Sequence, residues 1–272
     1  MNDAPVGVFD SGVGGLTVLR ALMEELPHES YLYLGDTARL PYGTKSADTV
    51  IRYARQATDA LARFGVKCIV IACNTASAAA LPAIREHARG LPVIGVIEPG
   101  AAAACAATRS GHIAVIATEA TVKGQAYPEA IHRIRANTRV TSRAAQLLVA
   151  LAEEGLNEGP IAESVARHYL DPLVQDNADE PVDTLVLGCT HFPMLIGAIR
   201  SAVGESIRVV DSAETTAHSV RDALHIAGLV RNDGAASRTR FLATDSPERF
   251  ARVGSLFLGR PLSASEIELI DL

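Results

Sequence analysis

The 272-residue sequence has no tryptophan, three methionines and an aromatic content of 4%. Basic stripes interleaved with aromatics, of the kind that stack on nucleic-acid bases, are therefore missing. Net charge is −6 and no block of Lys or Arg occurs, so no nucleic-acid surface is expected. Lysine itself is scarce: Lys45, Lys67 and Lys123 are all there is. A pyridoxal enzyme needs a Schiff-base lysine. Lys67 opens an apolar run, Lys45 lies in a polar loop, and nothing around Lys123 resembles a phosphate cradle. Chemistry without a cofactor is the expectation. Long apolar runs are also lacking, because Cys68–Ile84 is interrupted by Asn74, Thr75 and Ser77, and Ala101–Ala107 is too short to span a bilayer. The N-terminal stretch "MNDAPVGVFDSG" has no charged segment followed by an apolar one. A cytoplasmic protein with a small-molecule partner and no membrane contact is expected, and a homodimer is compatible with this. The four cysteines, Cys68, Cys73, Cys105 and Cys189, are scattered, and Cys189-x-His191 has no second ligand pair to complete a zinc site. No metal is expected, and in a reducing compartment all four should be thiols.

What the chain does have is alternation. Short β-rich runs ("VGVFD", "YLYLGD", "KCIVIAC", "PVIGVIE", "HIAVIAT", "DTLVLGC", "SIRVVDS", "TRFLATD") alternate with helical patterns, and helical segments are expected from Thr118 to about Leu170. Continuous apolar runs of this kind suit strands covered on both faces, and the alternation predicts an α/β architecture with mostly parallel sheets. Residues 1–97, completed by 211–272, are expected to form one α/β domain and 98–210 a second, with a cleft between them. In parallel sheets the loops at the carboxyl ends of strands collect ligands. Small polar residues gather at five such ends: Asp10 and Ser11, Tyr42 and Gly43, Cys73 to Thr75, Thr118 and Thr121, and Cys189 to His191.

Two of those ends are near-repeats. "VIACNTASAAALPAIR" (Val70–Arg85) and "VLGCTHFPMLIGAIR" (Val186–Arg200) each run from an apolar strand through a cysteine and two polar residues into a helix ending on "AIR". A helix N-terminus lowers a thiol's pKa, so both thiols are expected to be activated. Cys68 and Cys105 read as small hydrophobes. Two opposed thiols suit inversion of a stereocentre that bears a hydrogen: one removes the proton from one face and the other returns a proton to the opposite face. "FDSGVGG" fails the dinucleotide fingerprint because Thr17 stands at the third glycine position, and it lacks the Lys of a phosphate-binding loop. Its glycines instead predict a tight turn with N–H groups aimed at an anion, beside which Asp10 is either a base or a helix cap.

"GVFDSGVGGLTVLR", "YLGDTARLPYGTKS", "IACNTAS", "GVIEPG" and "LVLGCTHFP" together resemble the glutamate racemases of the aspartate/glutamate racemase superfamily, in order and over nearly the whole chain. The resemblance implies two flavodoxin-like halves related by a pseudo-twofold axis, with the site in the interdomain cleft. It also implies L-glutamate/D-glutamate interconversion for peptidoglycan synthesis. It makes Cys73 and Cys189 the catalytic pair, with Asp10 on one side, and Glu153 and His191 on the other, as auxiliary groups. Substrate contacts carried over are Asp10, Ser11, Pro41, Tyr42, Gly43, Asn74, Thr75, Thr118, Thr121, Thr190 and His191. The segment "AAQLLVALAEEG" departs from the family pattern, with Gln146 and Ala150 in place of prolines, which leaves Glu154 as an alternative to Glu153. Three rivals stand beside this reading. An aspartate racemase would share both cysteine motifs. A hydrolase using Cys189 and His191 leaves Cys73 idle, and a binding module closing on an amino acid uses neither thiol.

Overall fold

The computed structural model describes residues 2–88, 90–174, 180–231, 234 and 236–272. In chain order, β1 (Val6–Asp10), α1 (Leu16–Glu25), β2 (Tyr31–Gly35), α2 (Ala47–Arg63), β3 (Cys68–Ile71), α3 (Asn74–His87) and β4 (Val93–Gly95) come first. There follow α4 (Ile97–Ala107), β5 (His112–Ala117), α5 (Glu119–Lys123), α6 (Ala126–Ile134), β6 (Arg139–Ala144) and α7 (Gln146–Glu153). Next are α8 (Gly159–Val174), β7 (Thr184–Gly188), α9 (Ile196–Val203) and β8 (Arg208–Asp211). The chain closes with α10 (Ser212–Ile226), β9 (Thr239–Ala243), α11 (Pro247–Leu258) and β10 (Ile267–Leu269).

These strands form two sheets, ordered β10-β9-β2-β1-β3-β4 and β6-β5-β7-β8, and every pairing is parallel. Each sheet therefore contains the doubly wound order 2-1-3-4, read once as β2-β1-β3-β4 and once as β6-β5-β7-β8. The central strands β1, β3, β5 and β7 are buried at every position, as expected of apolar runs sandwiched between helices. Side chains alternate across the first sheet: Cys68, Val70 and Ala72 join one core cluster, and Ile69, Ile71 and Cys73 join another. The first of these clusters runs on into the second sheet, so the two sheets share one continuous core. Helix α2 starts where its cap predicts, with the Ser46 hydroxyl accepting from the Thr49 N–H at 3.4 Å.

One expectation needs correcting. The stretch from Thr118 to Leu170 is not wholly helical, because "RVTSRA" forms edge strand β6. This strand is half-buried and carries no apolar run to announce it. Beyond "TRFLATD", α11 packs and the short β10 pairs beside β9 as the outermost strand. Among the described residues, no helix is long and apolar enough to cross a membrane.

Candidate active site

The switch point of a doubly wound sheet lies between its first and third strands, where neighbouring loops part and leave a crevice. Here each sheet supplies one such point. Asp10 ends β1 and Cys73 follows β3; Thr118 follows β5 and Cys189 follows β7. The two crevices face each other around a cavity of about 50 Å³ lined by both cysteines. The halves come this close because of two glycines. A Cβ on Gly14 would collide with the His191 ring and the Thr190 hydroxyl, and one on Gly43 would sit 2.9 Å from Thr118 Cβ. Thr17 ties the same seam, its hydroxyl donating to the carbonyl of Thr190 at 3.1 Å.

On the first face, Cys73 is the N-cap of α3 and accepts from the Ala76 N–H at 3.5 Å. Its Sγ also receives the Ser11 hydroxyl at 3.6 Å. Even so, burial pushes this thiol up to about 12, with the nearby Asp10 carboxylate adding to the effect and the α3 amide and Ser11 opposing it. The expected lowering by the helix N-terminus is thus overridden at Cys73, which rests as a thiol. Asp10 does not cap α1, whose N-cap is Gly15. It is the anion that the glycine turn cradles: the Gly12 N–H donates to Oδ2 at 2.9 Å. Burial raises its pKa, opposed by the His191 charge and by the N–H groups of Gly15, Gly12 and Ser11. The second oxygen, Oδ1, is buried without a hydrogen-bond partner among the described residues.

On the second face, Cys189 does not abut an α-helix; Phe192–Leu195 form a 3₁₀ turn first and α9 begins at Ile196. Its neighbour is a side chain instead. His191 Nδ1 lies 3.7 Å from Cys189 Sγ, and His191 Nε2 lies 3.1 Å from Glu153 Oε1. Arg249 holds the other Glu153 oxygen at 2.8 Å. Burial alone would lower the imidazole's pKa, but its hydrogen bonds to Cys189 and Glu153 and their negative charge carry it up to about 10. Glu153 is held below the usual carboxylate range, mainly by His191 and against the effect of burial. His191 is thus an imidazolium at neutral pH.

The rest of the wall is polar and bridges the halves. The hydroxyls of Thr75, Thr118 and Thr121 form a triangle, 2.9 Å between Thr75 and Thr118, 2.9 Å between Thr118 and Thr121, and 3.3 Å between Thr75 and Thr121. Tyr42 donates to Asp36, which also takes Arg39 at 2.7 Å and Thr244 at 3.1 Å, so the "LPYG" turn is braced from behind. Among the described residues no group of three or more His, Cys, Asp or Glu is placed to hold a metal ion.

The profile of the Asp/Glu/Hydantoin racemase family matches residues 14–220. A glutamate racemase of Geobacter metallireducens is 48% identical over 94% of this chain and 93% of its own length. The chain belongs to the glutamate racemase family. The crystal structure of the Francisella tularensis glutamate racemase in complex with D-glutamate superposes with a TM-score of 0.91 at 36% identity, covering 100% of this chain and 98% of that one. That of a Bacillus anthracis glutamate racemase gives 0.93 at 37% identity, covering 100% and 99%. The α/β fold with two mostly parallel sheets is the fold of these racemases.

Of the residues singled out in the sequence, Ser11, Pro41, Tyr42, Gly43, Cys73, Asn74 and Thr75 line the cavity from one side. Thr118, Glu153, Cys189, Thr190 and His191 line it from the other. Asp10 and Thr121 stand one layer back, reaching the cavity through Gly12 and Thr118 respectively. Of the two adjacent acids, Glu153 faces His191 and Glu154 is exposed. Gly12, Leu40, Gln146 and Val149 also line the cavity, although none of them is among the substrate contacts that the resemblance implies. Gln146, Val149 and Glu153 share one face of α7 at helical spacing, a signal that starting from Glu153 would find.

Proposed function

We propose that this chain interconverts L-glutamate and D-glutamate without a cofactor, with Cys73 and Cys189 as the bases on opposite faces of the α-carbon. One observation carries the reading: two sulfurs, each delivered from the third strand of its own 2-1-3-4 sheet, line a single cavity. A proton on the α-carbon leaves to one sulfur as thiolate, giving a planar carbanion. The other sulfur, as thiol, then delivers a proton to the opposite face. The substrate leaves inverted, the first sulfur now carries the proton, and the second has lost one. The reverse direction starts from that state, so the net reaction consumes nothing.

Asp10 is suited to take the Cys73 proton, and His191, backed by Glu153, to exchange one with Cys189. Ser11, Tyr42, Gly43, Asn74, Thr75, Thr118, Thr121 and Thr190 supply hydroxyl, amide and N–H groups for the substrate's ammonium and two carboxylates, with Pro41 shaping the turn. Residues 1–97 with 211–272 are taken as one domain and 98–210 as the other, since β9 and β10 extend the first sheet while β5 to β8 make up the second. The family relationship supports a cytoplasmic role supplying D-glutamate for peptidoglycan, and a homodimer as the assembly.

The test is exchange in deuterated water. Wild-type protein should racemise either glutamate enantiomer with deuterium entering at the α-carbon, and aspartate should turn over far more slowly. Cys73→Ala and Cys189→Ala should each lose at least about 10³-fold in racemisation, the upper part of the range for a positioned acid–base group. Undiminished racemisation in either variant overturns the two-base assignment.

A further inference from the structure

Tyr127, on α6, has no place in the scheme above, yet it touches both cysteine turns. Its side chain is buried to within 1% of its surface, and its hydroxyl donates to Asn74 Oδ1 at 2.8 Å. Asn74 directly follows Cys73. The ring lies against Gly188, where a Cβ would come within 3.0 Å of Tyr127 Cε2, and Gly188 directly precedes Cys189.

A side-chain amide has an accepting end and a donating end. With Oδ1 occupied by the phenol, Asn74 is left with its two N–H groups. Its Nδ2 is buried without a partner among the described residues, and Asn74 lines the cavity. A buried donor without a partner is costly, and a substrate carboxylate supplies the acceptor it lacks. The phenol keeps its proton for this task, since burial and the Asp211 and Cys189 charges hold its pKa well above the usual range.

We propose that Tyr127 is a positioning residue: its hydroxyl locks the Asn74 amide with Nδ2 toward the substrate carboxylate, and so sets the affinity for both enantiomers. The inference rests on Asn74 being a substrate contact. Without the hydroxyl the amide can rotate by half a turn and present Oδ1, which repels a carboxylate.

Tyr127→Phe removes the hydroxyl and leaves the ring against Gly188. KM for L- and D-glutamate should rise about 10-fold, the worth of one charge-assisted hydrogen bond. The kcat should stay within about twofold and the pH profile unchanged, because the amide does not titrate. In an Asn74→Ala background, Tyr127→Phe should add nothing to KM. KM does not depend on the folded fraction, so a variant of lowered stability still reports. If Asn74→Ala raises KM and Tyr127→Phe does not, or if the two effects add, the positioning role is wrong. If Asn74→Ala itself leaves KM unchanged, the assignment of Asn74 as a substrate contact fails instead.

Discussion

Cys73 and Cys189 occupy equivalent points of two like sheets, but the charge set around them is opposite in sign. Cys73 sits beside a buried carboxylate, Asp10, and at the amino end of a helix, and it rests as a thiol. Cys189 sits beside an imidazolium whose far side is held by Glu153 and, through it, by Arg249. In the proposed scheme, a base behind one sulfur and a charged acid behind the other make the two directions of racemisation begin from different protonation states. The like strand orders give the two sulfurs matching positions, and the residues after them, Asn-Thr against Thr-His, make the two faces unequal.

The largest test of this inequality replaces the group behind each sulfur. Asp10→Asn and His191→Asn should each lower turnover about 10²–10⁴-fold. A racemase has an equilibrium constant of one, so kcat/KM must fall equally in both directions in either variant. The difference must therefore show in the isotope effect. With α-deuterated substrates, Asp10→Asn should enlarge the effect for one enantiomer and His191→Asn for the other. Enlargement for the same enantiomer in both variants would mean that the two faces are equivalent after all.

A smaller effect follows from the second face alone. The folded-state pKa of His191, about 10, lies above the ordinary imidazole value of 6.5. Its ion pairing therefore stabilises the fold fully below about pH 6.5 and is lost as pH rises through about 10. Activity should fall over the same alkaline limb. Glu153→Gln removes one of the two raising partners and leaves Cys189 alone to oppose burial, so the limb should move toward neutrality, with a loss of about 10²-fold at pH 8. A limb that stays in place in Glu153→Gln would detach Glu153 from the relay.

The strand ends were legible in the sequence because their physics is local. An apolar run that stops at Cys-Asn-Thr or Cys-Thr-His shows where a buried strand delivers polar groups, and the alternation shows that the sheets are parallel. What could not be read is whatever depends on the other half arriving. Gly14 looks like a turn residue, but it is needed so that His191 can approach. Cys73 looks activated from its helix, yet burial and Asp10 reverse the sign. Edge strand β6 is half-wet and carries no apolar pattern, and Tyr127 lies 54 residues after Cys73 with nothing nearby to mark it.

The smallest expected effect on turnover lies at the opposite ends of the two cysteine strands, where the comparison continues in another form. Below β3, Lys67 is buried against Glu29 at 2.5 Å and also donates to the carbonyls of Asn2 and Leu229 at 2.7 and 2.8 Å. Below β7, Asp183 accepts from the N–H groups of Arg109 and Ser110 and the hydroxyls of Thr108 and Thr184, at 2.7–2.9 Å. Burial would raise this carboxyl, but the Ser110, Thr108, Arg109 and Thr184 donors outweigh it and hold it near 2. Being depressed, it contributes stability above its unfolded value of about 3.9, lost as pH falls toward 2. Lys67→Met leaves Glu29 buried and uncompensated, costing about 3–5 kcal/mol. Asp183→Asn should cost about 1–3 kcal/mol and flatten the acid limb of the melting curve between pH 4 and 2. In both variants kcat at saturating substrate should stay within about twofold, since neither anchor reaches the cavity. A fall in kcat beyond that, with the folded fraction corrected by thermal melts, would show that strand position is transmitted to the sulfur it carries. The strand on which that fall appears would then be the one whose register the chemistry depends on.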